Sequence, residues 1–314
     1  MEAREATSLC EVVQEQLNNK TSSSQNDNDQ PKRFYGEIEE IIDDLETTLR
    51  TLNNFEVVCY PPSDHRFIGS NVNSSSRYLC RTYKKTSLTD QVEEEWHKLQ
   101  VGLPSSIFVR AFRSRIDLMR AVIISLEGSL YQHSLFFLDI HLPNDYPSHP
   151  PEFSYIIMVG KVSIRNFINN WGEWYEANGK DGRAILQLLV LIQHFVLGVQ
   201  DYKVGYNRDA FVQTWEAMLR LMRSPPREFE VFVTGYFRLR AHRILLNYKG
   251  RMRPNDLDMR RLFFRLVRAF ETNGTYCKHH YSQTQYDEAL KEEGMVHLEK
   301  IKKSFGNSSN LVLS

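Results

Sequence analysis

The chain has 314 residues, 39 of them basic and 39 acidic, for a formal net charge of +0, and 41% of it is hydrophobic. That length allows one medium domain with extensions or two small domains, and the apolar share is enough to bury a core. The charge balance excludes a bulk pull towards nucleic acid or membrane surfaces, so neither is expected as a partner. No apolar run approaches the roughly 18 residues that mark a membrane span. The opening Met1-Glu-Ala-Arg-Glu is charged and lacks the apolar block of a signal peptide. Cys10, Cys59, Cys80 and Cys277 are scattered without metal-ligand spacing. They point to a reducing, intracellular location, cytoplasm and/or nucleus, with no disulfide scaffold, metal site or cofactor.

Residues 1–34 read as a disordered tail, because 18–32 is Asn, Ser, Gln, Asp and Lys with almost nothing apolar. Over 35–54, Ile38, Ile42, Leu45, Leu49 and Leu52 recur at steps of 4, 3, 4 and 3, a heptad seam. Glu37, Glu39, Glu40, Asp43 and Asp44 crowd its early turns, where the helix dipole favours anions. Such an amphipathic helix either pairs with a partner helix, including a second copy of the chain, or packs on its own domain. Residues 55–86 read as a linker: Pro61-Pro62, Gly69-Ser70 and the stretch Asn71 to Ser76 break every periodicity.

Residues 87–248 hold the folded core. Ser87 or Thr89 can cap a helix whose buried face is Val92, Trp96 and Leu99, with Glu93, Glu94 and Glu95 outside. Gly102-Leu103-Pro104 stops it. Strands follow from Ile107, from Asp117, over Leu135 to Leu142, and from Phe153, with turns at Ser114-Arg115 and Gly128. Asp139-Ile140-His141-Leu142 alternates as a half-buried strand does. Pro143, Pro147, Pro150 and Pro151 then make a rigid, extended surface corner, since proline fixes φ and lacks an amide donor. A further helix is expected near Ala184 to Leu197. One helix, a four-stranded antiparallel meander and then helices is an α+β order.

The strand followed by Leu142-Pro143-x-x-Tyr146-Pro147-x-x-Pro150-Pro151 resembles the ubiquitin-conjugating enzyme family, where this corner closes the meander. Glu95-Trp96-x-x-Leu99-Gln100, Leu103-Pro104, Arg115-Ile116-Asp117-Leu118, Ile185-Leu186-Gln187 and Gly205-Tyr206-Asn207 are similar to its large, divergent branch. That branch includes hybrid conjugating and ligase enzymes. The resemblance runs from about Glu95 to Ile244 and implies the ubiquitin-conjugating fold with helical extensions.

It also implies a catalytic cysteine carrying ubiquitin as a thioester. The family motif there is Gly-Lys-Val-Cys with a tryptophan shortly after. This chain has Gly160-Lys161-Val162-Ser163, with Trp171 eight residues on, so Ser163 stands at the cysteine position. A thiol ionises at about pH 8.5 and is intrinsically nucleophilic, whereas an alcohol needs an adjacent base. The asparagine that stabilises the oxyanion in the family has no counterpart either, because only Ile156 to Val159 separates the fourth strand from Gly160. The expectation is therefore a non-catalytic, pseudoenzyme form binding ubiquitin, the activating enzyme or ligases non-covalently. The alternatives are an active transferase using Ser163 or a displaced cysteine, and a scaffold without ubiquitin contact. The resemblance places partner docking at Tyr146, Pro147, Pro150 and Pro151, with Trp174 and Tyr175 on a flexible aromatic loop beside them and Trp171 packed under the fold.

Residues 249–314 read as a helical extension. Asn255-Asp256 can cap a helix bearing Leu257, Leu262, Phe263, Leu266, Val267 and Phe270, with arginines on its other side. Such a basic amphipathic helix either packs on its domain or binds an acidic surface.

Overall fold

The computed structural model describes residues 47–49, 51–69, 87–156, 170–179, 181–196, 207–253, 255–282, 285 and 291. The expected tail over 1–34, Ile38, Ile42, Leu45, Cys10, Cys80 and Ser163 lie outside them. One compact unit spans Asp43–Ser314.

Among the described residues, five strands form one sheet in the order β1-β2-β3-β4-β5. They are β1 (Phe55–Val58), β2 (Ile107–Phe112), β3 (Arg115–Ile124), β4 (Leu135–His141) and β5 (Glu152–Tyr155). From β2 to β5 every neighbour is antiparallel. This is the expected meander, and its apolar runs explain it: Val and Ile fit the pleat, and Gly128 turns the chain between β3 and β4 at φ 78°. The fold is accordingly α+β, with a ubiquitin-conjugating-type core and helical extensions.

β1 corrects the expected 55–86 linker. It adds to the free edge of β2 in parallel, Phe55 opposite Val109 and Val58 opposite Phe112. Asn54 fixes that register, its side-chain amide donating to the carbonyls of Pro104 at 2.9 Å and Ile107 at 2.8 Å. The next residues fold back over the sheet. His65 lies under Met119, its Nε2 3.0 Å from that carbonyl oxygen, and the Phe67 amide donates to its Nδ1 at 3.3 Å. Both contacts require the neutral Nε2–H tautomer, and burial lowers the His65 pKa accordingly.

The two faces of the sheet are covered differently. Phe55 and Val109 share a face with Ala121 and Leu138. That face meets helix α1 (Ser87–Gly102), whose Trp96 ring is 6.4 Å from Phe55. The other face carries Phe108, Arg110, Arg120, Phe137 and Asp139. It is capped by Phe229, 5.4 Å from Phe137, and by Phe232, 4.7 Å from Phe108. β4 is therefore buried on both faces, with Asp139 at 0% exposure, and is not the half-buried strand its alternation suggests.

Among the described residues, the remaining α-helices are α2 (Trp171–Asn178), α3 (Ala184–Leu191), α4 (Arg208–Arg223), α5 (Glu230–Arg251) and α6 (Leu257–Thr272). α3 continues into a single π turn, Ile192–Val196, so the expected helix is present with its last turn widened. Asp256 caps α6 as the sequence predicts, accepting from the Met259 amide at 3.1 Å. Leu262, Phe263, Leu266, Val267 and Phe270 of α6 are buried, and Arg265 pairs with Glu216 of α4. The basic amphipathic helix thus packs on its domain. α5 runs through the boundary expected after residue 248. Leu49 and Leu52, the described end of the heptad stripe, also pack half-buried against this core.

Candidate functional site

The proline corner is built by short backbone turns. The Tyr146 amide donates to the Pro143 carbonyl at 2.9 Å and the Ser148 amide to that of Asp145 at 2.8 Å. The Tyr146-Pro147 bond is cis. At the tip, the exposed His149 Nδ1 lies 2.5 Å from an Asp145 carboxylate oxygen.

Three elements hold this corner through one carboxyl group. Glu95 of α1 is 1% exposed and not on the solvent side with Glu93 and Glu94. It stands three residues after Val92 and four before Leu99, hence on the same helix face. The Tyr146 hydroxyl donates to its Oε1 at 2.5 Å, and the Ile185 amide to its Oε2 at 3.0 Å. Glu95 therefore joins α1, the corner and the start of α3. Burial raises its pKa to about 7, against the opposing hydrogen bonds from Tyr146 and the amides of Ile185 and Ala184. Burial first, and the Glu95 charge second, push the Tyr146 phenol above its ordinary range.

An aromatic cluster covers the other side. Trp171 donates its indole N–H to the Pro147 carbonyl at 2.6 Å. Its ring stacks on Trp174 at 5.2 Å and lies 5.5 Å from Tyr175 and 6.3 Å from Tyr146. Trp171, Trp174, Tyr175 and Asn178 are spaced i, i+3, i+4, i+7, so they form one face of α2. The expected flexible loop is thus a helix packed on the corner, while Trp171 is buried as predicted. The chain reverses into α3 at Gly182, φ 69°, where an added Cβ would collide with the Glu94 side chain.

The predicted docking residues divide. Tyr146 is 3% exposed and Pro151 is buried, so both hold the corner and offer no surface. Pro147, Pro150, Trp174 and Tyr175 are half-buried and lie beside the exposed Asp145 and His149. Sequence reasoning placed the corner but missed Glu95, whose position on the Val92–Leu99 face was the available signal.

The described cysteines lie away from this region. Cys59 is exposed and follows β1, at the opposite edge of the sheet from β5. Four strand spacings of about 4.8 Å put roughly 19 Å between the two edges. Cys277 is buried beyond α6, and burial pushes its thiol up to about 12.

Comparisons with known proteins agree with this architecture. The family model for Ubiquitin-conjugating enzyme matches residues 91–166. A chain of Arabidopsis thaliana named as ubiquitin-conjugating enzyme E2 38 is 34% identical over 230 residues, 64% of this chain and 68% of that one. Another Arabidopsis chain, named as ubiquitin-conjugating enzyme E2 23, is 36% identical over 213 residues, 59% of this chain and 18% of that one. The human dual E2 ubiquitin-conjugating enzyme/E3 ubiquitin-protein ligase BIRC6 is 29% identical over 138 residues, 38% of this chain and 3% of its own length. This chain spans between 18% and 34% of the length of Arabidopsis E2 23, E2 24 and E2 25.

Proposed function

Because the chain belongs to the ubiquitin-conjugating enzyme family, we propose that it serves the ubiquitin pathway as a non-catalytic binding or regulatory module. The observation that carries this reading is Ser163 within Gly160-Lys161-Val162-Ser163, where the family places its cysteine. The missing asparagine segment before it supports the same conclusion. Losing one oxyanion donor raises a barrier by on the order of 3 kcal/mol, a hundred- to thousand-fold in rate. Replacing a thiolate by an unactivated alcohol costs more, because almost no alkoxide exists at neutral pH, and the two losses need not add since they act in one step. Neither described cysteine is a ready substitute, since one lies at the far sheet edge and the other is buried with a raised pKa. Cytoplasm and/or nucleus is the location that accords with these unpaired thiols.

The partner is ubiquitin or an enzyme of its pathway, held non-covalently at the corner. Pro147, Pro150, Trp174 and Tyr175 supply the apolar contact, and Asp145 and His149 the polar rim. Tyr146, Pro151 and Glu95 keep that surface in shape.

A charging assay with activating enzyme, ATP and ubiquitin, run with and without thiol reductant, tests the proposal. No reductant-sensitive adduct is expected. Ser163→Cys should restore little activity, because the shortened segment no longer supplies the oxyanion donor. A robust thioester on Cys10, Cys59, Cys80 or Cys277 would overturn the non-catalytic reading. A base-labile, reductant-resistant adduct on Ser163 would do so as well, showing that charging survives.

A further inference from the structure

Far along the chain from the corner, three histidines converge. His242 lies in α5, and His279 and His280 form the end of the 3₁₀ turn Lys278–His280 that follows α6. Each offers one ring nitrogen, and the three nitrogens lie within 4.8 Å of one another. His242 Nδ1 and His280 Nε2 are 2.9 Å apart. The ring centroids of His279 lie 4.7 Å from His242 and 4.2 Å from His280. We infer that His242, His279 and His280 form a binding site for a zinc-class divalent cation.

The distances suit such an ion. Zinc–imidazole bonds of about 2.0–2.1 Å at a tetrahedral angle separate two ligand nitrogens by roughly 3.3 Å. The 2.9 Å pair needs only to open by a few tenths of an ångström. His279, exposed at the surface between the rings of Tyr276 and His280, closes the remaining distance by a side-chain rotation. With three tetrahedral positions filled by imidazole, the fourth is left for water or an added ligand.

The donor set selects the ion. Three imidazole nitrogens without a carboxylate suit zinc, copper or nickel and do not suit calcium or magnesium, which require oxygen.

The scaffold is also preformed. The turn after α6 is tied to α5 by Asn273, whose side-chain amide donates to the Thr234 carbonyl at 2.7 Å. Thr275 donates its hydroxyl to the Arg238 carbonyl at 3.4 Å. Thr234, Arg238 and His242 are spaced four apart, so these ties run up the α5 face that presents His242. A bound ion would clip the end of the α5–α6 hairpin shut, from residue 242 to residue 280. The sequence expectation of no metal site rested on cysteine spacing and did not weigh histidines 37 and 38 residues apart.

The full chain, carrying no polyhistidine tag, is dialysed against zinc chloride and, in parallel, cobalt chloride. One equivalent of zinc should bind with a Kd on the order of 1 µM or below, and zinc should raise the Tm. Cobalt should give visible absorption typical of nitrogen ligation. His279→Ala, at an exposed position, should keep the fold, weaken binding at least about tenfold and abolish the zinc-dependent rise in Tm. His242→Gln should do the same and serves as the second variant. No saturable binding of wild-type chain up to about 100 µM zinc would overturn the site, leaving only a hydrogen-bonded histidine pair. Unchanged affinity in both variants would overturn it too, by placing the ion elsewhere.

Discussion

Glu95 and Asp139 are both acidic, both at most 1% exposed, and carry opposite consequences. The folded Glu95 carboxyl titrates at about 7, above its ordinary 4.5, because burial penalises its charge. Its stabilising contribution is therefore complete below about pH 4.5 and is lost as pH rises through about 7, a change of roughly 3 kcal/mol. Urea midpoints measured from pH 5 to 8 should fall with pH, and Glu95→Gln should flatten that slope. The slopes are the comparison, since Gln has one acceptor where Tyr146 and Ile185 present two donors. An unchanged slope would remove Glu95 as its source. Asp139 is instead a paired anion. It accepts from Arg120 Nε at 2.7 Å, from Arg120 Nη2 at 3.1 Å and from the Arg66 amide at 2.7 Å. Arg120 is 0% exposed, so Asp139→Ala removes its buried, bidentate counter-charge and should cost about 3 kcal/mol or more. Arg120 also pairs with Asp64 at 3.0 Å, but the Asp64 side chain is 44% exposed. Asp64→Ala should therefore cost less than about 1 kcal/mol. Equal losses in the two variants would contradict this ranking.

At the scale of elements, Asn54 decides whether β1 joins the sheet. Its side chain makes one hydrogen bond to Pro104 in the loop before β2 and one to Ile107 at the start of β2, and its carbonyl accepts from the Val109 amide at 2.7 Å. Asn54→Ala should cost about 1–2 kcal/mol. It should also speed hydrogen exchange at Val109 and at Arg113, whose amide donates to Val58. Protection that survives at both amides would show that β1 docks without Asn54. β1 was not legible in the sequence for a physical reason. Phe55-Glu56-Val57-Val58 is four residues long, and its partner, β2, begins about fifty residues on. Parallel edge pairing across that separation leaves no local signature. The meander and the corner were legible, because apolar runs and prolines act locally. α2 was missed since Gly172 inside it and Gly179 and Gly182 after it read as a loop, although its aromatics recur at helical spacing. Glu95 was missed since a glutamate triplet reads as a solvent face until its neighbours on the helix are counted. Ser163 lies outside the described residues, so its place rests on the motif alone.

For the whole molecule, the expected domain of residues 87–248 leaves out parts that bury it. The segment at 64–67 covers Arg120, Asp139 and Phe112, with the His65 ring 5.7 Å from Phe112. α6 covers α4 and α5: Phe270 lies 6.4 Å from Phe237, and the Tyr248 hydroxyl donates to the Met259 carbonyl at 3.0 Å. Leu262, Phe263, Leu266, Val267 and Phe270 are each at most 2% exposed. At about 2 kcal/mol per buried side chain, those five contribute on the order of 10 kcal/mol. That is comparable with the entire 5–15 kcal/mol stability of an ordinary domain. Cutting at residue 248 also removes the last turn of α5, which ends at Arg251. A fragment of residues 87–248 should therefore be insoluble or melt without a cooperative transition. A fragment of residues 43–314, the compact unit, should keep the Tm of the full chain. Differential scanning calorimetry on the two fragments distinguishes the cases. If 87–248 unfolded cooperatively near the full-chain Tm, the flanking strand and α6 would be dispensable additions. Failure of 87–248 alone would make them part of one folding unit, in which the family core is stable only with the elements this chain packs around it.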